Sequence, residues 1–113
     1  MKGKHISIKS AIDRLRNTDK EFLELFTHGS LSIEIYQPDK VDKQQPHSRD
    51  EVYIVANGSG KFYCDGKYYD FNSGDFLFVP AGVDHRFEEF SENFVTWVMF
   101  YGPEGGEGGN PGD

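Results

Sequence analysis

The chain has 113 residues, enough for one domain, and its 19 acidic and 12 basic residues give a formal charge of −7. An acidic chain without a lysine and arginine stripe argues against a surface for nucleic acid or for an anionic membrane. The single cysteine, Cys64, excludes an intramolecular disulfide framework. No apolar segment reaches the ~18 residues of a membrane span, and we expect no secretory signal and a cytoplasmic location.

One short helix is predicted near the N-terminus. Ser10 and Asp13 have the spacing of a capping box, and Ile8, Ile12 and Leu15 are spaced to share one helical face. These features predict a helix of about two turns over residues 11–17. Ahead of it, the segment around Ile6 and Ile8 predicts a short strand.

The chain from there to Tyr101 predicts β-structure. Alternating apolar and polar residues indicate strands with one buried face, and Asn57-Gly58 and Asp65-Gly66 are typical of two-residue hairpin turns. The predicted strands are Leu31–Tyr36, Val52–Ala56, Lys61–Cys64, Lys67–Phe71, Phe76–Val79, Arg86–Phe90 and Val95–Tyr101. This pattern predicts an all-β sandwich or barrel, with one domain over residues 1–101.

The last twelve residues, Gly102 to Asp113, differ in composition from the rest. They contain six glycines and two prolines and no large apolar residue. This composition predicts a flexible, acidic tail over residues 102–113 that is dispensable for folding.

Two histidines and one glutamate form the candidate site. In an extended chain, His47 and Glu51 share a face because they are four residues apart, and His85 begins another predicted strand that a barrel can bring across to them. Two imidazoles and one carboxylate suit a divalent metal with open positions, as in Fe(II) sites. An inward carboxylate at Glu51 needs either a metal or a basic partner.

The same alternation assigns neighbours to this face. Arg49 is the alternative partner for Glu51, and Tyr53 is either a hydrogen-bond or proton donor at the site or a core tyrosine. Gln45 falls on the site face and Gln44 on the opposite one.

Seven residues match the two motifs of the cupin superfamily, which the sequence resembles over residues 30–101 with its motifs in 39–89. The motifs read G-x5-H-x-H-x3,4-E-x6-G and G-x5-P-x-G-x2-H-x3-N. The matching residues are His47, Glu51, Gly58, Gly74, Pro80, Gly82 and His85. The resemblance implies a small jelly-roll barrel, also called a double-stranded β-helix.

The sequence departs from these motifs at three positions. The leading Gly is Asp39, the first His is Gln45 and the closing Asn is Glu89. The resemblance implies one divalent metal ion (Fe, Mn, Ni or Zn) at the four positions Gln45, His47, Glu51 and His85. Since an amide oxygen is a weaker ligand than imidazole, Gln45 is either a weak fourth ligand or is replaced by water.

Three functions are compatible with this pattern. The first is a metal-dependent enzyme for a small metabolite, either a dioxygenase or an isomerase or lyase. The second is a non-catalytic module that binds or senses a small molecule. The third is a barrel kept for assembly alone, which the grouped ligand residues disfavour.

A homodimer is also predicted. The strand Val95–Tyr101 is apolar on both faces, so the face turned away from the barrel needs a cover. A second copy of the chain, paired through the strand around Ile6 and Ile8, would supply this cover. The helix predicted over residues 11–17 is the alternative cover.

Overall fold

The computed structural model of the protein describes residues 2–108. These residues form one helix and eight antiparallel strands, which confirms the predicted all-β fold with a short N-terminal helix. The elements are α1 (Ile8–Arg16), β1 (Phe22–His28), β2 (Leu31–Tyr36), β3 (Asp50–Asn57), β4 (Gly60–Cys64), β5 (Lys67–Phe71), β6 (Phe76–Val79), β7 (His85–Glu88) and β8 (Val95–Tyr101). No helix among the described residues has the length and apolar character needed to cross a membrane.

The strands form two sheets that enclose an aromatic core. One sheet has the order β1-β2-β8-β3-β6 and the other β5-β4-β7. Aromatic rings pack at tilted or edge-to-face angles, with ring centroids 4.7 Å apart for Phe87 and Phe94 and 4.8 Å apart for Tyr53 and Phe87. The buried core residues are Tyr36, Tyr53, Val55, Phe62, Phe71, Val79, Phe87, Phe94 and Val98.

Helix α1 begins three residues earlier than predicted. Ser7 is its N-cap, because its side chain accepts a hydrogen bond of 3.0 Å from the backbone N–H of Ser10. The strand predicted around Ile6 and Ile8 is wrong, since Ile8 is the first helical residue. Ala11 and Leu15 are buried against the outer face of the five-stranded sheet.

The helix therefore covers part of the second apolar face of β8. Its buried residues pack with Ile35 of β2 and Val95 of β8, and Trp97 lies against the same cluster. The alternative explanation for the apolar outer face, the chain's own helix, thus accounts for the cover of β8 at Val95 and Trp97. The rest of that face extends toward β3 and β6.

Strand β1 was missed from the sequence. It pairs with β2 from Phe22↔Tyr36 to His28↔Leu31, but the register shifts between Glu24 and Phe26. This bulge interrupts the alternation of apolar residues on which the strand predictions depend. The sequence prediction therefore omitted the first strand of the five-stranded sheet.

The two glycine turns have different outcomes. Asp65 and Gly66 have φ angles of 50° and 85°, and they join the paired strands β4 and β5 in the predicted hairpin. Asn57-Gly58 is not a hairpin turn, because β3 and β4 belong to different sheets. Gly58 has φ of 98°, and a Cβ there would lie 2.6 Å from Cα of Phe94, so only glycine fits this crossing.

The described part of the predicted tail, residues 102–108, makes hydrogen bonds to the barrel. The backbone N–H of Gly105 donates to the Ser48 carbonyl at 2.6 Å, and that of Glu107 donates to the buried Asp50 carboxylate at 2.9 Å. Arg49 Nε donates to the Gly102 carbonyl at 3.0 Å. Residues 109–113 of the predicted tail lie outside the described residues.

Truncation of the chain after Tyr101 should lower the free energy of unfolding by about 1–3 kcal/mol, because the buried Asp50 carboxylate loses a hydrogen bond. Truncation after Gly108 retains these contacts and is the control. Urea unfolding followed by tryptophan fluorescence measures both. Equal stability of the full chain and the Tyr101 truncation would contradict a stabilising role for this segment.

Candidate metal centre

Glu51 on β3 is a buried carboxylate without a hydrogen bond. Its side chain is 1% exposed, and neither carboxylate oxygen has a hydrogen-bond partner among residues 2–108. Burying an unpaired carboxylate costs several kcal/mol unless a cation compensates it. The position of Glu51 therefore requires a cation close by.

His85, the first residue of β7, faces this carboxylate. Its Nδ1 lies 2.9 Å from the Val83 carbonyl, which assigns the proton of the neutral ring to Nδ1 and leaves the lone pair on Nε2. Nε2 lies 3.1 Å from Oε1 of Glu51, yet the two atoms are not aligned as a hydrogen bond. Two electron pairs at this distance repel unless a proton or a metal ion lies between them.

The pKa of His85 reflects both influences. Burial lowers this pKa, but hydrogen bonding and charge from the Glu51 carboxylate and the Val83 carbonyl together raise it by more. The net shift of the pKa is therefore upward. The environment therefore stabilises positive charge at this ring. A metal ion at this position would supply that charge and satisfy both orphaned groups.

His47 completes the group from the loop that precedes β3. Its Nε2 lies 3.9 Å from Oε1 of Glu51, and its ring packs edge-on against Phe100 with centroids 4.9 Å apart. Burial lowers the pKa of His47, and this outweighs the opposing effect of Glu51. The ring is therefore neutral near pH 7, which is the form that ligates a metal.

The three side chains lie close enough to share one metal ion. One donor atom from each of His47, Glu51 and His85 lies within 4.8 Å of the others. Two imidazole nitrogens and a carboxylate oxygen suit Fe, Mn, Ni and Zn. The orphaned oxygens of Glu51 and Nε2 of His85 show that the donor set fits a bound cation.

Backbone contacts fix the spacing of the two histidines. The N–H of Gly82 donates to the carbonyl of His47 at 2.6 Å, and Gly82 has φ of 78°. Asp50 accepts a hydrogen bond of 2.9 Å from the N–H of Ala81 in the same loop. The loop that leads into His85 is thus attached to the segment that carries His47.

Gln45 does not point into the site, contrary to the face assigned to it from the sequence. Because β3 begins only at Asp50, strand alternation does not extend back to Gln45, which is exposed. Its neighbour Gln44 lies at the site instead. Oε1 of Gln44 is 3.3 Å from Nε2 of His47, and it accepts a hydrogen bond of 2.9 Å from the Tyr53 hydroxyl.

Asp42 holds Gln44 in place and was not found from the sequence. Its buried carboxylate accepts hydrogen bonds from the Gln44 backbone N–H at 2.9 Å, the Gln44 Nε2 at 2.8 Å, the Tyr36 hydroxyl at 2.7 Å and the Phe87 N–H at 2.8 Å. Since a carboxylate only accepts, the amide NH₂ faces Asp42 and the amide oxygen faces the histidine. No motif includes Asp42, and its sequence neighbours, Lys40-Val41 and Lys43-Gln44, give no sign that it is buried.

The two predicted neighbours of Glu51 differ. Arg49 is not its partner, because the Arg49 guanidinium donates to the Gly102 carbonyl instead. Tyr53 is fully buried, and burial together with the Glu51 charge raises the pKa of its hydroxyl well above the usual value. Tyr53 therefore keeps its proton and donates it to Gln44 in a hydrogen bond.

A cavity of about 360 Å³ opens beside these residues. Besides His47 and Glu51, its wall includes side chains of both signs and several aromatic rings. Among them are Glu21, Phe22, Glu34, Tyr36, Lys43, Gln44 and Phe100. Its volume suits a small metabolite.

A family model described as a cupin domain matches residues 32–101. The chain belongs to the cupin family. This confirms the family resemblance, and the barrel around Glu51 is the cupin barrel.

Three known proteins illustrate what this cupin is similar to. It is 33% identical over 88 residues to an uncharacterized protein of Streptomyces coelicolor, covering 76% of this chain and 84% of that protein. It is 41% identical over 54 residues to the acireductone dioxygenase of Gluconacetobacter diazotrophicus, covering 44% of this chain and 30% of that enzyme. The crystal structure of a DMSP lyase from Ruegeria pomeroyi matches with a TM-score of 0.62 at 22% identity, covering 72% of this chain and 46% of that one.

The last two matches support different conclusions about this chain. The cupin spans less than a third of the length of that dioxygenase, so the similarity is confined to one segment of the enzyme. The likeness to the lyase is one of fold.

Proposed function

We propose that this cupin holds one divalent metal ion through His47, Glu51 and His85, and acts on a small metabolite bound in the adjoining cavity. The observation that carries this proposal is the buried Glu51 carboxylate, which faces Nε2 of His85 at 3.1 Å without a hydrogen bond. With His85 neutral and no cation between them, this carboxylate and imidazole would remain unsatisfied.

When bound, a metal of this kind supplies Lewis acidity or oxygen activation. The match to acireductone dioxygenases favours oxygen chemistry over isomerisation or elimination. The chain's own contribution is to exclude water with Phe100 and the core aromatics, and to hold a proton on the buried Tyr53 hydroxyl, which donates to Gln44 in the cavity wall.

Gln44 is proposed as the fourth donor, in place of Gln45. Its amide oxygen already faces Nε2 of His47, and Asp42 fixes the amide in that orientation. A carbonyl oxygen is neutral, so it adds a weaker bond than a third imidazole would.

The metal assignment predicts the metal content of two double variants. The wild-type chain should bind about one ion. His47→Ala/His85→Ala should lose it, because both imidazole ligands are removed and only the Glu51 carboxylate remains. His5→Ala/His28→Ala is the matched control, since both of these histidines are exposed. Elemental analysis after dialysis measures both, and full metal content in the first variant would contradict the assignment.

The two adjacent glutamines give a second prediction. Gln44→Ala should weaken metal binding by about tenfold, the effect of losing one moderate interaction, whereas Gln45→Ala should leave the affinity unchanged. Gln44→His should tighten binding, since imidazole is the better donor. Competition with a chromophoric chelator measures the three affinities. A larger effect at Gln45 than at Gln44 would overturn this part of the proposal.

Oxygen uptake distinguishes the enzymatic hypotheses from a sensor. Protein loaded with Fe(II) is supplied with candidate enediols and catechols in an oxygen-electrode cell. Uptake that disappears in the His47→Ala/His85→Ala variant supports dioxygenase chemistry. A compound that binds to the loaded protein and is recovered unchanged would instead support the non-catalytic module.

We further propose that the chain is a homodimer through the outer face of the five-stranded sheet. Phe76 on the edge strand β6 is 62% exposed and pairs with Ile54, which in turn pairs with Trp97. Helix α1 reaches Trp97 but leaves the β3–β6 side of this face uncovered. A second copy, related by a two-fold axis, would bury it.

Light scattering tests the dimer. The expected mass is twice the chain mass of 12.9 kDa, and Phe76→Glu should reduce it to one chain because charge in a buried apolar interface is costly. Tyr69→Glu alters another exposed aromatic residue, on β5, and should leave the dimer intact. A wild-type mass of one chain would contradict the proposal.

A further inference from the structure

The wall of the cavity has an excess of acidic groups. Glu21, Glu34 and Glu51 line it, and against them stand one lysine, the exposed Lys43, and the neutral His47. Glu51 is more than nine-tenths buried and unpaired, and it is accounted for by the proposed metal. Glu34 is a second carboxylate in the same cavity, and it is not one of the clustered metal-ligand residues.

Glu34 has no partner for its charge within residues 2–108. The neighbouring Glu24 accepts its own hydrogen bond of 3.0 Å from Ser32, and the hydroxyl of Tyr36 is taken by Asp42. Burial, together with the negative charges of Glu24 and Glu51, raises the pKa of Glu34 to about 7. A cation in the cavity would stabilise the ionised form of Glu34.

The strand register sets the distance between Glu34 and the metal ligands. Glu34 pairs with Val98, and Val98 pairs with Tyr53, which is two residues from Glu51 on the same face. Strand spacings of about 4.8 Å and a rise of about 3.3 Å per residue put the Cα atoms of Glu34 and Glu51 roughly 12 Å apart. Both side chains line one cavity, so a molecule a few atoms long can contact both groups.

The remaining wall is suited to a cation. Phe22, Tyr36 and Phe100 present aromatic rings to the cavity, and aromatic faces attract ammonium groups. No arginine lines the cavity among the described residues, and arginine is the residue that most often recognises carboxylates and phosphates. The cavity therefore opposes a ligand with an anionic group at the Glu34 end.

We propose that the ligand of this cavity is a small molecule with an oxygen group that binds the metal at one end and an ammonium or similar cationic group at the other, received by Glu34. Dianions such as phosphate esters and dicarboxylates are excluded by the same charge. The metal-binding half rests on the proposed function, whereas the cationic half rests on Glu34 alone.

Three probes of equal backbone length test this selectivity. 4-Aminobutyrate, pentanoate and glutarate share a carboxylate that can bind the metal, and they differ only in an ammonium, a methyl or a second carboxylate at the far end. In the Co(II)-loaded protein, 4-aminobutyrate should bind about tenfold tighter than pentanoate, the usual effect of one charge-assisted hydrogen bond, and glutarate should bind more weakly than pentanoate. NMR titration measures all three.

Variants of one carboxylate locate the effect. Glu34→Gln should remove the preference for 4-aminobutyrate and also increase the affinity for glutarate. Glu92→Gln makes the same chemical change at an exposed loop residue and should change neither. If Glu34→Gln does not fold, Glu34→Asp retains the charge at a shorter reach and should reduce the preference without removing it.

Chelator-treated protein separates this inference from the proposed function. There, butylammonium should still bind better than pentanoate, because Glu34 is not a proposed metal ligand. Failure to load Co(II) would overturn the metal proposal. The inference about Glu34 would then be tested by the comparison of the cationic and anionic probes in the metal-free protein. Equal binding of cationic and anionic probes, or a preference unchanged in Glu34→Gln, would overturn the inference.

Discussion

The structure depends on a buried carboxylate that has no aligned hydrogen-bond donor among residues 2–108. Glu51 lies near the start of β3 with both oxygens unpaired, and Nε2 of His85 faces it at 3.1 Å. In a domain of this size, several kcal/mol of uncompensated burial is a large part of the net stability. The proposed cation, shared by Glu51, His85 and His47, would remove this cost, and the same cation would supply the chemistry of the cavity.

The surroundings of this group are built from carboxylates that accept backbone hydrogen bonds. Asp42 links the loop before β3 to Phe87 on β7, and Asp50 links the start of β3 to Ala81 and Glu107. These two buried acids are satisfied by N–H or O–H donors, unlike Glu51. The contrast separates acids that hold the fold together from the one acid whose oxygens are left to bind a cation.

The sequence predicted the barrel and three side chains that the structure brings together, and it failed where local conformation departs from alternation. Seven strands were found because they alternate or end in glycine turns, but β1 was missed because its bulge breaks the pattern. Gln45 was placed at the site by extending a strand that begins only at Asp50, and Gln44 was excluded by the same error. Asp42 acts through loop contacts that no spacing rule encodes.

X-ray absorption spectroscopy of the metal-loaded protein tests the central claim most directly, because it reports which atoms surround the ion. The account predicts two imidazole groups, from His47 and His85, with oxygen as every remaining ligand. One imidazole or none, or a sulfur ligand from Cys64, would contradict the assignment of the centre to Glu51 and its two histidines.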